Sequence, residues 1–189
     1  MTPKTITPPA TTPIDLADVK TRLSITDALE DTEIPALIQA AVEQAESYTA
    51  RSFITQTLEL AVDRFPVEIE LPKGPVQSIT SIKYLDSDGN EQTLSAGSYV
   101  LDDYSPLPWV LLSAGQSWPS TYDAANAVKI RYVAGFGDAA DVPEDIKSAL
   151  YIAVGHWIKF QSEVESGVGP SRMPRQFYDL LERHRIIKL

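Results

Sequence analysis

The chain has no cysteine among its 189 residues, which removes any disulfide framework and any thiolate nucleophile and fits a reducing compartment. It has only two histidines, His156 and His184, on separate helical stretches, and neither has a second histidine or an acid at metal-ligand spacing. His156 therefore reads as a residue on the polar side of its helix. No apolar run approaches the ~20 residues of a membrane span, so no membrane association is expected. The opening residues lack a basic head followed by an apolar segment, and no export is expected either. There is no Gly-x-Ser-x-Gly elbow, no P-loop lysine and no paired-carboxylate motif. Carboxylate dyads assembled from distant positions would escape such a scan, but the residues give no support to an enzyme, a catalytic residue or a cofactor.

Two near-motifs have simpler readings. Asp86, Asp88 and Asn90 resemble the start of a calcium loop, but the glycine comes two places early and Gly97 stands where a bidentate glutamate belongs. Gly135-Phe136-Gly137 follows a strand and precedes a helix, yet it lacks a third glycine and is followed by Asp138 and Asp141, which are wrong for a phosphate cradle. Turn geometry accounts for both, and no metal or cofactor site is assigned.

Basic charge is also scarce, and unevenly placed. Sixteen Lys and Arg face twenty-six Asp and Glu, a net charge of −10. From Arg172 onward there are five basic residues against two acids, so a net of +3 at the C-terminal end follows a body carrying −13. Nucleic-acid affinity comes mostly from neutralising phosphates with basic side chains, so an acidic body argues against DNA binding. The basic end reads either as a solvated face that complements a helix C-terminus or as an arm for an acidic partner.

What the chain does have is 43% hydrophobic and 22% charged residues, ordinary for one soluble core, and a chain this long can bury roughly 70% of its unfolded surface. The longest helical signal is Val142 to Phe160, with Asp141 as a cap and Glu144 three residues on. Ile146, Ala149, Leu150, Ala153, Trp157 and Phe160 fall on one face, which is the expected core stripe. Tyr151, Val154 and Ile158 widen the apolar arc beyond the ~100° that a surface helix needs. They are covered either by the same chain or by a neighbouring copy. Gly155, on the opposite side, costs the helix about 1 kcal/mol against Ala unless a close backbone approach compensates.

Residues 1–13, with four prolines and five threonines, read as a flexible or extended arm. Asp15 is expected to cap a short helix ending at Leu23. Asp27, Glu30, Asp31 and Glu33 then form an acidic turn, and Asp31 or Thr32 opens a second helix that ends near Arg51. From Phe53 onward alternation takes over, with a first strand in which Leu58, Leu60 and Val62 interleave with Thr57, Glu59, Ala61 and Asp63, and further strands expected at Val76 to Leu85, Tyr99 to Leu101, Trp109 to Leu112 and Ala127 to Val133. Asp88-Gly89-Asn90 marks a hairpin after the second of these. The pattern is α+β: N- and C-terminal helices packing together, with an antiparallel β-rich middle as an insertion. The expected organisation is a flexible arm at 1–13, an α+β domain at 14–161 with its β-rich part at about 54–136, and a mobile loop with a short basic helix at 162–189.

Taken in order, several pieces resemble the head-tail connector, or adaptor, family of tailed double-stranded DNA phages, also known as DNA-packaging or head-completion proteins. They are the two opening helices running into Phe53-Ile54-Thr55-Gln56-Thr57, then Leu71-Pro72 with Pro75-Val76-Gln77-Ser78-Ile79, and Tyr84-Leu85-Asp86 closed by Asp88-Gly89. Trp118-Pro119, the strand running into Ala134-Gly135-Phe136-Gly137, and Val142-Pro143 complete the set. The likeness covers about Ile14 to Phe160.

It implies a structural virion protein, made in the host cytoplasm and located at the head-tail junction. There a homo-oligomeric ring would sit beneath the portal protein, extend its channel, pass double-stranded DNA without binding it specifically, and receive a tail-side stopper or completion protein. On this reading Tyr151, Val154 and Ile158 are candidates for the subunit interface, and Arg172, Arg175, Arg183 and Arg185 for the portal contact. The alternatives are another head- or tail-completion protein of the stopper type, or a small enzyme or ligand-binding domain.

Overall fold

A computed structural model describes residues 2–26, 32–165 and 172–187, with side-chain surroundings given outside 160–165. The chain divides into two compact units: a β unit of Met1–Ala10 with Arg51–Phe136, and a helical unit of Thr11–Ala50 with Gly137–Leu189. The α+β class is as expected, with antiparallel sheets in the middle of the chain. The division itself differs from a single 14–161 domain, because residues 1–10 go with the β unit and the last helix goes with the others.

In the β unit, strands β1 (Lys4–Thr7), β2 (Gln56–Val62), β4 (Val76–Leu85), β5 (Glu91–Thr93) and β8 (Val128–Ala134) form one antiparallel sheet in the order β1-β2-β8-β4-β5. Strands β3 (Ile69–Glu70), β6 (Tyr99–Asp102) and β7 (Trp109–Leu112) form a second sheet ordered β3-β7-β6. Alternation in β2 and β8 sends Leu58, Leu60, Val128, Ile130 and Tyr132 inward, where they pack with Ile69, Leu71, Ile82 and Val110. Tyr132 is fully buried, so its hydroxyl needs a partner and donates to the Pro72 carbonyl at 2.7 Å; burial pushes this phenol well above its ordinary value. On the other face Arg131 forks onto Glu59, its cross-strand neighbour, at 2.7 and 3.1 Å.

The Asp86 to Asn90 turn is a hairpin closure. The Asp86 carboxylate accepts from Gln92 Nε2 and from the amides of Asn90 and Asp88, and these bonds hold it below the usual carboxylate range. Among the described residues, no three of His, Cys, Asp or Glu come together as metal ligands.

The proline-rich opening is not simply a loose arm, since residues 4–7 pair antiparallel with β2. Threonine and isoleucine suit a strand, and the prolines stand outside the paired stretch.

In the helical unit, α1 (Leu16–Leu23) is capped by Asp15, whose carboxylate accepts from the Asp18 amide at 2.7 Å. Helix α2 (Ile34–Thr49) buries Ile34, Ile38, Ala41, Val42, Ala45 and Thr49. Its N-cap is Glu33, one residue past Thr32, without a side-chain cap bond; Asp27, Glu30 and Asp31 lie outside the described residues. It ends at Ala50 in the left-handed region, which puts Arg51 beyond the last turn, bridged to Lys73 in the β unit.

Helix α3 (Glu144–Glu165) runs five residues past Phe160, so 162–165 are helix and not loop, while 166–171 lie outside the described residues. Asp141 belongs to a preceding 3₁₀ turn (Ala139–Asp141), where its carboxylate accepts from the Asp138 amide at 2.9 Å in a capping box. Helix α4 (Arg175–Leu181) buries Phe177 and Leu181, packs on α2 and α3, and continues into a 3₁₀ turn (Glu182–His184).

Candidate functional site

The surface of interest is the outside of the helical unit, where the expected apolar and basic faces both lie. On α3, Ile146, Ala149, Leu150 and Ala153 are fully buried, as the stripe requires, while Trp157 is only half-buried. The three flanking residues separate. Val154 has no exposed surface within its own chain, which removes it from any interface: the helix is covered at that point from within. Tyr151 and Ile158 remain partly exposed.

Helix α1 provides part of that cover. The Arg22 guanidinium sits 4.5 Å from the centroid of the Tyr151 ring, a cation–π contact. A Cβ built on Gly155 would lie 3.2 Å from Leu23 Cδ2, so glycine here lets α1 seat closely on α3. Burial, with the Asp18 charge next, raises the Tyr151 phenol.

The four arginines also divide. All four are exposed, Arg175 at 92% of its side chain with a loose 3.6 Å approach to Asp179 and Arg185 at 44%. Arg183 lines an open groove of about 380 Å³ together with Ile152, Gln176, Asp179 and Leu180. Arg185 is engaged within its own unit, 3.6 Å from Glu182 and over the Tyr48 ring at 5.1 Å. Tyr48 donates to Glu182, a bond that raises its phenol, and packs edge-on against Tyr178 at 5.1 Å.

His184 has a role that sequence spacing hides. Its Nε2 lies 3.1 Å from an Asp145 carboxylate oxygen, tying the turn after α4 to the first turn of α3. Burial alone would raise the Asp145 carboxyl, but the hydrogen bond and charge of His184, with a smaller contribution from Arg183, carry it below its ordinary value. The two residues are 39 positions apart and no local pattern links them. His156 is half-buried on α3.

The helical unit thus keeps Tyr151 and Ile158 partly exposed on α3 and exposed arginines on and beside α4. Among the described residues no helix is long and apolar enough to cross a membrane. A family model described as head completion protein matches residues 13–173, and the chain belongs to that family. It is thus a structural protein of head completion and not an enzyme, and the resemblance drawn from its sequence motifs holds at this level.

No curated protein matches the chain. Solved structures share its fold along its whole length. A chain from the neck of an empty gene transfer agent particle computed with C6 symmetry gives a TM-score of 0.82 at 23% identity, covering 100% of this chain and 97% of that one. Chains from the native gene transfer agent virion and from its neck computed with C12 symmetry give 0.80 and 0.77, at the same identity and coverage.

Proposed function

We propose that this protein is the head-tail connector, a ring of identical subunits that docks under the portal at the head-tail junction of the virion, continues its channel and offers a platform to a tail-side completion protein. The observation that carries the reading is the match in fold, end to end, with a chain of a symmetric particle neck, taken together with membership of the head completion family. Three features of the chain support it.

A cyclic ring is a heterologous assembly, in which one face of a subunit meets a different face of the next. Tyr151 and Ile158, partly exposed on α3, are suited to one such face. Arg172, Arg175, Arg183 and Arg185 are exposed on or beside the last helical segment and suit an acidic portal surface, Arg185 least because it also lies over the Tyr48 ring. The acidic body lets double-stranded DNA pass without adhering, since phosphates find few cations to displace their counterions.

The test is pairwise assembly. Purified protein is mixed with portal rings, and separately with a tail-side completion protein, and the products are followed by sedimentation and electron microscopy. The expected product is a ring seated on the portal. Binding to a preformed connector ring, with none to the portal, would reassign the chain to a stopper.

A further inference from the structure

The five-stranded sheet ends on β1, a strand that adds almost nothing to the core. Lys4, Thr5 and Thr7 are exposed and Ile6 is half-buried, whereas β2 beside it buries every second residue. What holds β1 is its ladder to β2, with Lys4 opposite Glu59, Thr5 opposite Leu58 and Thr7 opposite Thr57, and with a slip of register at Ile6. The next six residues, 8–13, include Pro8, Pro9 and Pro13 and lead to Ile14, which is buried in the helical unit. Pro8 and Pro9 stiffen the residues that leave β1, after which the chain bends at Ala10 and Thr11 and Pro13 is buried, with Thr12 Oγ1 donating to the Ile14 carbonyl at 2.7 Å.

A main-chain ladder does not discriminate between copies of the same segment. The edge of β2 must nevertheless be paired, because bare N–H and C=O groups along a strand are both costly and adhesive. Lys4 facing Glu59 places opposite charges across the ladder and sets the register for a strand from any copy.

We propose that β1 is an exchange strand: in the assembled ring, residues 4–7 of one subunit pair with β2 of the adjacent subunit and fasten the two together. This rests on the ring reading above. Exchange breaks and remakes the same bonds, so contact energy cancels between the two arrangements. The balance then depends on effective concentration: the short connection gives the home strand a millimolar value or more, and a ring brings the strand of an adjacent subunit to the same order, which dilute solution does not. In dilute solution the strand pairs at home; in the ring it pairs next door.

The absence of native cysteine makes the test clean. Thr7→Cys and Thr57→Cys are directly opposed positions, and antiparallel partners lie within disulfide reach. The double variant, oxidised as dilute monomer, is expected to close within one chain. Oxidised after assembly on the portal, it is expected to give a non-reducing ladder of linked subunits, with intermolecular product raised about tenfold or more.

A mixture of the two single variants, Thr7→Cys and Thr57→Cys, assembled together, can join the two substituted positions only between chains, and there a linked dimer is expected. Assembled rings that yield only singly closed chains from the double variant, with no dimer from the mixture, overturn the exchange while leaving the ring reading intact. Failure to form rings at all, seen by electron microscopy before oxidation, overturns the ring reading and the exchange with it.

Discussion

Gly135 shows how much one residue can be required to do. Its φ is +126°, a region that side chains avoid, and an added Cβ would lie 2.5 Å from the backbone of Ile54. Its amide donates to Pro75 at 2.9 Å and its carbonyl accepts from Gln77 Nε2 at 2.9 Å, so the close approach is held from both sides. Gly135→Ala is therefore expected to destabilise the β unit by roughly 3 kcal/mol or more, while Gly115→Ala, at φ +77° in open space, costs about 1 kcal/mol from strain alone. Denaturant melts compare the two, and equal losses would show that Gly135 is not closely packed. At Asp145 the folded carboxyl is held below its ordinary value, so the stabilisation is present above the unfolded pKa near 3.9 and is lost as pH falls through the folded one. Asp145→Asn is expected to lower stability at pH 7, with the gap to the native protein closing on acidification below about pH 4. An acid titration followed by circular dichroism measures it, and a gap independent of pH would assign Asp145 to packing alone.

At the scale of elements, β4 and β7 lie where alternation puts them, because period-2 burial is written into the chain itself; β8 is shifted by one residue, and β2 opens at Gln56, three residues after the expected start of the alternation. Strand β1 was not legible: it has neither an apolar face nor length, and only pairing makes it a strand. Two-residue β3 is too short for any period to show, although its Ile69 is buried. Nor could periodicity say what covers α3. It marks Val154 as apolar but cannot tell that α1 seats beside the helix, since the signal is a glycine facing Leu23 across more than a hundred residues. That seating gives a paired prediction. Gly155→Ala presses only on the flexible end of Leu23 and gains up to about 1 kcal/mol of helix propensity, so its melting temperature should hold or rise. Gly155→Leu should lose roughly 1–3 kcal/mol by pushing α1 away, and full tolerance of leucine would mean α1 does not rest there. The His184–Asp145 tie stayed hidden for a related reason, because it joins two ends of elements that meet only after packing.

For the whole molecule, the division of the four arginines is the testable point. Charge reversal at Arg175 and Arg183 together is expected to weaken portal binding by about tenfold or more, with a loss that shrinks as salt is raised, while leaving the melting temperature nearly unchanged. Arg185→Ala should do the reverse, lowering stability modestly through the lost ring contact and leaving binding nearly intact. Titration of portal with each variant at two ionic strengths separates them, and equal binding by all would remove the last helical segment from the docking surface.

The β unit's main excursion begins at Arg51 and finishes at Phe136, and near those limits the Phe136 amide donates to the Phe53 carbonyl at 2.9 Å, with the two rings 6.5 Å apart. More than eighty residues thus depart and come back through a single doorway. A segment hung in that way is a cassette: it can be trimmed, enlarged or swapped for another, with residues 1–10 travelling alongside, without rewriting the sequence of the helices.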